Sequence, residues 1–254
     1  MIKESRLRVH LLDSYKDPDA IAAIAIRRCY SNDSYEELIE KISPEKRKQL
    51  VAQVEASGHT STLEHQMFTF AVEGLSRIAE TQLVRKRVGA SYSIRSGRYV
   101  NMAEAEYVIP ESIKNSSLLP QYREHLESVQ KMYKELTDSG IPEEDARFIQ
   151  PQSLATKLIV SMTGLALMQF LEKRECTRAQ WEIRKMATEM HKLAKKVSPI
   201  VFDNAGPTCK TQGICWEGKR SCGLWKQIEG ATLKIRQKHL FKEGAGGDLK
   251  FIDE

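Results

Sequence analysis

Arg85-Lys86-Arg87-Val88-Gly89-Ala90-Ser91-Tyr92-Ser93-Ile94-Arg95-Ser96-Gly97-Arg98 is the stretch from which the rest of the chain is best read. It holds five cations, no anion, two glycines and four hydroxyl side chains. Guanidinium forks offer paired donors to phosphate oxygens. Glycine lets a backbone come close to a ligand, and hydroxyls complete the donor set. An alternating apolar run, Met67 to Glu73, precedes the stretch, and another, Arg98 to Ile109, follows it. The segment therefore connects core elements. We read it as a loop that contacts a phosphate or a nucleotide; a solvated basic loop is the competing reading.

Working outward, Leu7 to Leu12 alternates and predicts an opening strand. Pro18 to Cys29 predicts a helix started by Asp17 or Asp19. Ser34 to Ile42 and Pro44 to Ala56 predict two more, the second with Ser43 as N-cap and Pro44 at N1. Gly58 to His65 is a polar turn, and Leu75 to Val88 predicts a helix with Ile78, Leu83 and Val84 inward. Leu118 to Ser139 predicts an amphipathic helix closed by Gly140, and Pro142 to Arg147 starts another element. Ala179 to Val197 predicts a long amphipathic helix. Ser153 to Phe170 is almost uncharged and predicts the central buried helix or helix pair. From Ala205 onward, Gly, Pro, Cys and Trp replace the periodic apolar residues. Lys226 to Phe241 predicts a last helix, broken by Gly244-Ala-Gly-Gly247. Strands and helices without β-α-β alternation or internal repeat predict an α+β fold.

The bulk numbers narrow the function classes. A hydrophobic fraction of 41% with 29% charged residues is that of a globular protein with a sizeable core. No apolar run reaches the ~18 residues of a spanning helix, and Met1 to His10 has no apolar signal-peptide core. Five cysteines, an odd number, fit free thiols in a reducing compartment. A cytoplasmic protein with no membrane partner is expected. A net charge of +5 favours an anionic ligand without demanding nucleic acid.

Three further groups could carry chemistry. His59, Glu64 and His65 lie close in sequence, but the histidines are six apart and do not share a helical face. Hydrogen bonding of a turn is the preferred reading over a metal. Cys209, Cys215 and Cys222 lack the CxxC spacing of a zinc site and are read as structural thiols, so no metal is expected. Arg147 and Arg174 flank the most apolar part of the chain, where an arginine either pairs with a carboxylate or binds an anionic oxygen.

Taken in order, the chain resembles flavin-dependent thymidylate synthases. The matching residues are Ala25-Ile-Arg-Arg-Cys29-Tyr-Ser31, Gly58-His-Thr-Ser61-Thr-Leu-Glu-His65 and Phe68-Thr-Phe70. They continue with Gly74-Leu-Ser76-Arg77, Gln82-Leu-Val-Arg85, Ser96-Gly-Arg98-Tyr99, Asp145-Ala-Arg147-Phe148, Phe170-Leu-Glu-Lys-Arg174 and Ala179-Gln180-Trp-Glu-Ile-Arg184. The cysteine segment, Gly206-Pro-Thr-Cys209 to Cys222-Gly223, resembles that of some bacterial members. The resemblance implies an α+β fold in which a mixed sheet is packed by helices, and a homotetramer with active sites between subunits. It implies a catalytic domain over 1–204 with a Cys/Gly-rich tail over 205–254. It also implies reductive methylation of dUMP with methylenetetrahydrofolate, through FAD reduced by NADPH and with no enzyme nucleophile on the pyrimidine. Arg174 matches the catalytic arginine that favours the ionised uracil N3. Gln82, Arg85, Ser96, Arg98, Arg147 and Arg174 fall where the family holds dUMP. Ser61, Arg85, Lys86, Arg87, Thr163, Leu165 and Gln169 fall where it holds FAD.

The chain also departs from the pattern. Lys86 replaces a histidine, the run before Ser96 is one residue longer, and Ile94 replaces an acidic or amide residue. Thr163-Gly164-Leu165 stands for Asn-Ala-Arg, the polar flavin contact further along becomes Gln169, and Gln150 replaces an apolar residue. Three lost polar contacts at roughly 1 kcal/mol each weaken FAD on the order of 100-fold. Two alternatives stay open on these residues: C5 modification of another pyrimidine nucleotide, and a nucleotide-binding protein without catalysis.

Overall fold

The computed structural model describes residues 2–234, 240–243 and 249–252. Its centre is a four-stranded antiparallel sheet of β1 (Arg8–Ser14), β2 (Met67–Ser76), β3 (Ala90–Ile94) and β4 (Ala155–Thr163). The spatial order is β1-β2-β4-β3. Alternation decides which face is covered: Phe68, Phe70 and Val72 of β2 and Leu158, Val160 and Met162 of β4 are buried on one side. On the other side Thr69 bonds Ser161 at 2.9 Å, and Ser91 and Ser93 are exposed. Where β2 passes Gly74 the register shifts by one residue. Gly74 has φ of 75°, and a Cβ there would strike the Arg6 carbonyl, so the bulge requires glycine.

Helices around the sheet and one another include, among the described residues, α1 (Pro18–Arg28), α2 (Tyr35–Lys41), α3 (Pro44–Ser57), α4 (Arg77–Leu83), α5 (Leu119–Asp138), α6 (Gly164–Arg174), α7 (Trp181–Val197) and α8 (Pro199–Phe202), with further one-turn helices at Glu111–Lys114, Glu143–Ala146 and Thr208–Thr211. Of the two starts offered for α1, Asp17 is the cap; Ser43 caps α3 as expected, and Ser34 caps α2, each side-chain oxygen accepting a first-turn N–H. Ile183, Met186, Ala187 and Met190 of α7 meet Phe68, Phe70 and Phe170 in the main core. Asp19 of α1 is buried and accepts from the Ser198 hydroxyl (2.5 Å) and the Ile200 N–H (2.9 Å), which fixes the start of α8. A second apolar cluster joins α5, through Leu126 and Tyr133, to Met102, Tyr107 and Leu154.

Several expectations are corrected. Ser153 to Phe170 is not a helix or helix pair: it is β4 followed by α6. An uncharged run hides the change from period two to period 3.6, and the turnover point is Thr163, whose Oγ1 caps α6 by accepting from Ala166 N at 3.2 Å. The basic stretch is not all loop either, because β3 lies inside it. The helix expected from Leu75 starts only at Arg77, since β2 runs on past its bulge, and Ile78 is 45% exposed. Of Arg98 to Ile109 only Glu106–Tyr107 is a strand, paired in parallel with Lys3–Glu4. The last helix is not formed among the described residues of its span either. Leu224–Gln227 is a 3-10 turn, Thr232–Leu233 pairs with Ile214–Cys215, and Leu240–Glu243 is extended. Residues 235–239 of that expectation, and the break at Gly244 to Gly247, lie outside the described residues. Among the described residues no helix is long and apolar enough to cross a membrane.

Candidate functional site

Two neighbouring cavities, separated by α4, receive the cations picked out from the sequence. The first, about 750 Å³, is lined by Arg77, Glu80, Arg95, Ser96, Gly97, Arg147 and Gln150. Arg147 follows the short helix Glu143–Ala146, and its Nε donates to the Glu144 carbonyl at 3.0 Å. Gly97 lies against it, an added Cβ meeting Arg147 Cδ at 3.3 Å, so the Ser96-Gly97 backbone and the guanidinium side chain form one wall. Arg95 leaves the end of β3 and donates from Nη2 to the Ala155 carbonyl at 2.5 Å. Its Nε is buried with no partner among the described residues, and burial pulls the guanidinium below its ordinary pKa.

Arg98 does not line this cavity. Its Nε donates to the Glu144 carboxylate at 2.9 Å, and its guanidinium lies 5.4 Å from the ring centre of Tyr99. Of the arginines assigned to dUMP it alone is paired with a carboxylate among the described residues.

The second cavity, about 190 Å³, is lined by Gln82, Arg85, Lys86, Gln169, Lys173 and Arg174. Arg174 ends α6, and its Nη2 donates to the carbonyl of Gln82, the next-to-last residue of α4, at 3.1 Å. Burial, and then the nearby Arg85, hold its pKa below the ordinary value. Both causes disfavour charge on a group that stays charged, so an anion placed here is favoured. The segment that supplies Gln82 and Arg85 is anchored from below. Ser76, the N-cap of α4, donates its N–H and hydroxyl to the buried Glu182 carboxylate of α7, at 2.5 and 2.6 Å.

The residues expected to hold FAD are spread over adjoining surfaces. Ser61 opens a cavity of about 860 Å³ beside Arg28, Tyr35 and His65, and Thr62 Oγ1 is buried there without a partner among the described residues. Leu165 and Gln169 line a further cavity of about 310 Å³. Two of the departures from the family pattern are bonded to each other: Lys86 Nζ donates to Gln169 Oε1 at 2.7 Å. Burial, followed by Lys173, lowers the Lys86 pKa. Thr163 serves as helix cap, and Gly89, in the basic stretch, packs so close that a Cβ would lie 2.8 Å from Thr163 Oγ1. Arg85, Lys86 and Arg87 form no ion pair with a carboxylate among the described residues. An anionic dinucleotide fits this donor set.

Arg95 and Gln150 were not among the site residues read from the sequence. Arg95 sat unremarked within the cationic run. Gln150 stood out as a polar residue where an apolar one is usual: Tyr107 donates to its Oε1 at 3.0 Å, leaving Nε2 buried and unpartnered among the described residues. His59 and His65, by contrast, are exposed around the 3-10 turn Thr60–His65.

A family model described as "Thymidylate synthase complementing protein" matches residues 10–200. The flavin-dependent thymidylate synthase of Geobacter sulfurreducens is 40% identical over 240 residues, covering 93% of this chain and 99% of the relative. That of Clostridium tetani is 39% identical over 248 residues, covering 91% and 99%. That of Nitratidesulfovibrio vulgaris is 38% identical over 233 residues, covering 86% and 95%. The matched span includes every residue named above in the two cavities, and so the chain belongs to the flavin-dependent thymidylate synthase family.

Proposed function

We propose that the chain catalyses reductive methylation of dUMP to dTMP, taking the one-carbon unit from methylenetetrahydrofolate and using FAD reduced by NADPH. The observation that carries the reading is how the guanidinium groups are held. Arg95, Arg147 and Arg174 are aimed by backbone carbonyls and form no ion pair with a carboxylate among the described residues. Their charge is therefore available to an anionic ligand.

Ser96, Gly97 and Arg147 suit the nucleotide phosphate and ribose, since a loop backbone and a forked donor converge there, and Arg98 would join them only on leaving Glu144. Gln82, Arg85 and Arg174 suit the base. Electron density at uracil C5 rises when N3 gives up its proton, and a fixed guanidinium beside the ring stabilises the charge that results. No cysteine lines either cavity, which fits chemistry without an enzyme thiol on the pyrimidine. Ser61, Arg85, Lys86, Arg87, Thr163, Leu165 and Gln169 would hold FAD, whose role when bound is to supply the hydride that completes the methyl group.

Within this proposal the enzyme is a cytoplasmic homotetramer, with residues 1–204 as its catalytic part and 205–254 as an appended segment. Two observations support assembly. The dUMP residues of one chain divide between two cavities, and large apolar side chains beside them are open, Phe148 at 83% and Tyr99 at 78% exposure. A second copy would cover these and bring Arg147 of one chain to Arg174 of another.

The test is direct. Purified protein given FAD, NADPH, methylenetetrahydrofolate and dUMP should form dTMP and show an oxidised-flavin band in the visible. With UMP or dCMP in place of dUMP, product should be minor. No flavin band after excess FAD, together with no dTMP, would refute the proposal.

A further inference from the structure

Four of the chain's five cysteines meet at a place the proposed reaction does not use. Cys176 stands two residues beyond the end of α6, and Cys209 lies in the short helix Thr208–Thr211. Cys215 lies in the strand Ile214–Cys215, and Cys222 follows the turn Gly218–Arg220. All four line one cavity of about 30 Å³. A single water needs roughly 10–15 Å³ measured this way, so the space admits one ion and no organic ligand. All four thiols are free; Cys209 and Cys215 are buried, Cys176 is half-buried and Cys222 exposed.

The surrounding segment has a short strand pairing but little apolar core. From residue 205 to 234 the buried apolar side chains are Ala205, Cys209 and Cys215 alone. A stretch with so little core is usually fastened by a disulfide or a metal, and no disulfide is present.

We propose that Cys176, Cys209, Cys215 and Cys222 bind one zinc ion as a closed structural site that fastens the C-terminal segment to the end of α6. Four thiolates in tetrahedral array are a set that zinc favours. Binding converts the thiols to thiolates and releases their protons; the cavity is also lined by Arg178, which offsets part of the added negative charge, and by the carboxylates Glu175 and Glu217, of which Glu175 is paired with His191. Among the described residues no three His, Cys, Asp or Glu side chains are drawn together at ligand spacing, so binding would pull the four thiols inward. Two thiols are held instead by weak contacts, Cys215 with Ser221 Oγ at 3.5 Å and Cys222 with Thr177. Closure exchanges these contacts for the ion. Burial raises the Cys176 and Cys209 thiols above their ordinary pKa, and the neighbouring thiols push in the same direction, as expected of groups sharing one space. The sequence concealed this set because Cys176 lies far upstream and the other three lack CxxC spacing.

The test uses the full chain purified under reducing, chelator-free conditions. Elemental analysis should find one zinc per chain, released by a thiol-blocking mercurial. Cobalt added to stripped protein should give the intense visible bands of a tetrahedral thiolate complex. Cys222→Ser, an exposed position, should lose the zinc and those bands, as should Cys209→Ser if it folds, while Cys29→Ser keeps both. Wild type that takes up neither metal overturns the proposal, whether mass spectrometry finds the thiols free or joined as a disulfide. So does Cys222→Ser that retains full zinc and unchanged cobalt bands.

Discussion

Arg174 shows what a single side chain is asked to do. Its guanidinium is fixed by one carbonyl, that of Gln82, and crowded by Arg85. Removing a donor aimed at developing charge costs about 10²–10³ in turnover. Arg174→Ala should therefore lower kcat by that order, while the melting temperature stays close to wild type; steady-state kinetics and a thermal melt check it, and equal loss of both would make the arginine structural. Gly164 is the opposite case, with a wholly structural demand. A Cβ there would press on the Gln66 carboxamide and lie 2.8 Å from the Leu63 carbonyl. Gln66 is buried and tied to the Pro18 carbonyl and Ser198, so it has little room to yield. Gly164→Ala should cost about 1–3 kcal/mol, read from urea denaturation, and an unchanged midpoint would contradict it. The cationic run from Arg85 to Arg98 was legible because it contains no anion, whereas Arg147 and Arg174, with Glu144, Asp145, Glu172 and Glu175 close by, were given their roles by the family resemblance. The partners of these residues were not legible. Lys86 and Gln169 look like separate departures from a pattern, and only the fold joins them.

Among the elements, the opening strand, the strand from Met67 and the Ser43 cap were legible from their patterns, whereas β3, despite its alternating Ser91 and Ser93, was hidden in a stretch read as loop. Ser153 to Phe170 was misread for want of charges to mark the period, and the consequence is large, because β4 is the strand that joins β2 to β3 and so places Arg95. The end of α6 is held by an interaction that no pattern announces. His191 of α7 faces the Glu175 carboxylate with Nδ1 at 3.1 Å and the Phe202 carbonyl with Nε2 at 2.9 Å. Two acceptors call for two N–H donors, which is the imidazolium form. The Glu175 carboxylate, above all, raises its pKa from the ordinary 6.5, against the effect of burial. A raised folded pKa gives stability that is fully present below the unfolded value and lost as pH climbs through the folded one. Wild type should therefore lose stability relative to His191→Gln as pH rises from about 6 to 9, measured by denaturant midpoints at each pH. A difference independent of pH would contradict the charged form.

At the scale of the whole molecule, the residues proposed to hold the nucleotide line two cavities on either side of α4, and under that proposal neither cavity alone has both the phosphate and the base contacts. The α+β class was legible from element order, and the division of the site was not, since sequence neighbours such as Gln82 and Arg95 end in different cavities. The claim on which the account depends is that guanidinium groups left without carboxylate partners meet across two copies of the chain to hold one uridylate. Mixing Arg147→Ala chains with Arg174→Ala chains, each nearly inactive alone, tests it most directly, with dTMP formation measured after subunit exchange. The account predicts that the mixture regains activity, because some shared sites then draw Arg147 and Arg174 from the unmutated copies. A mixture no more active than its two components, after exchange is verified, would place both arginines in a site within one chain and contradict the account.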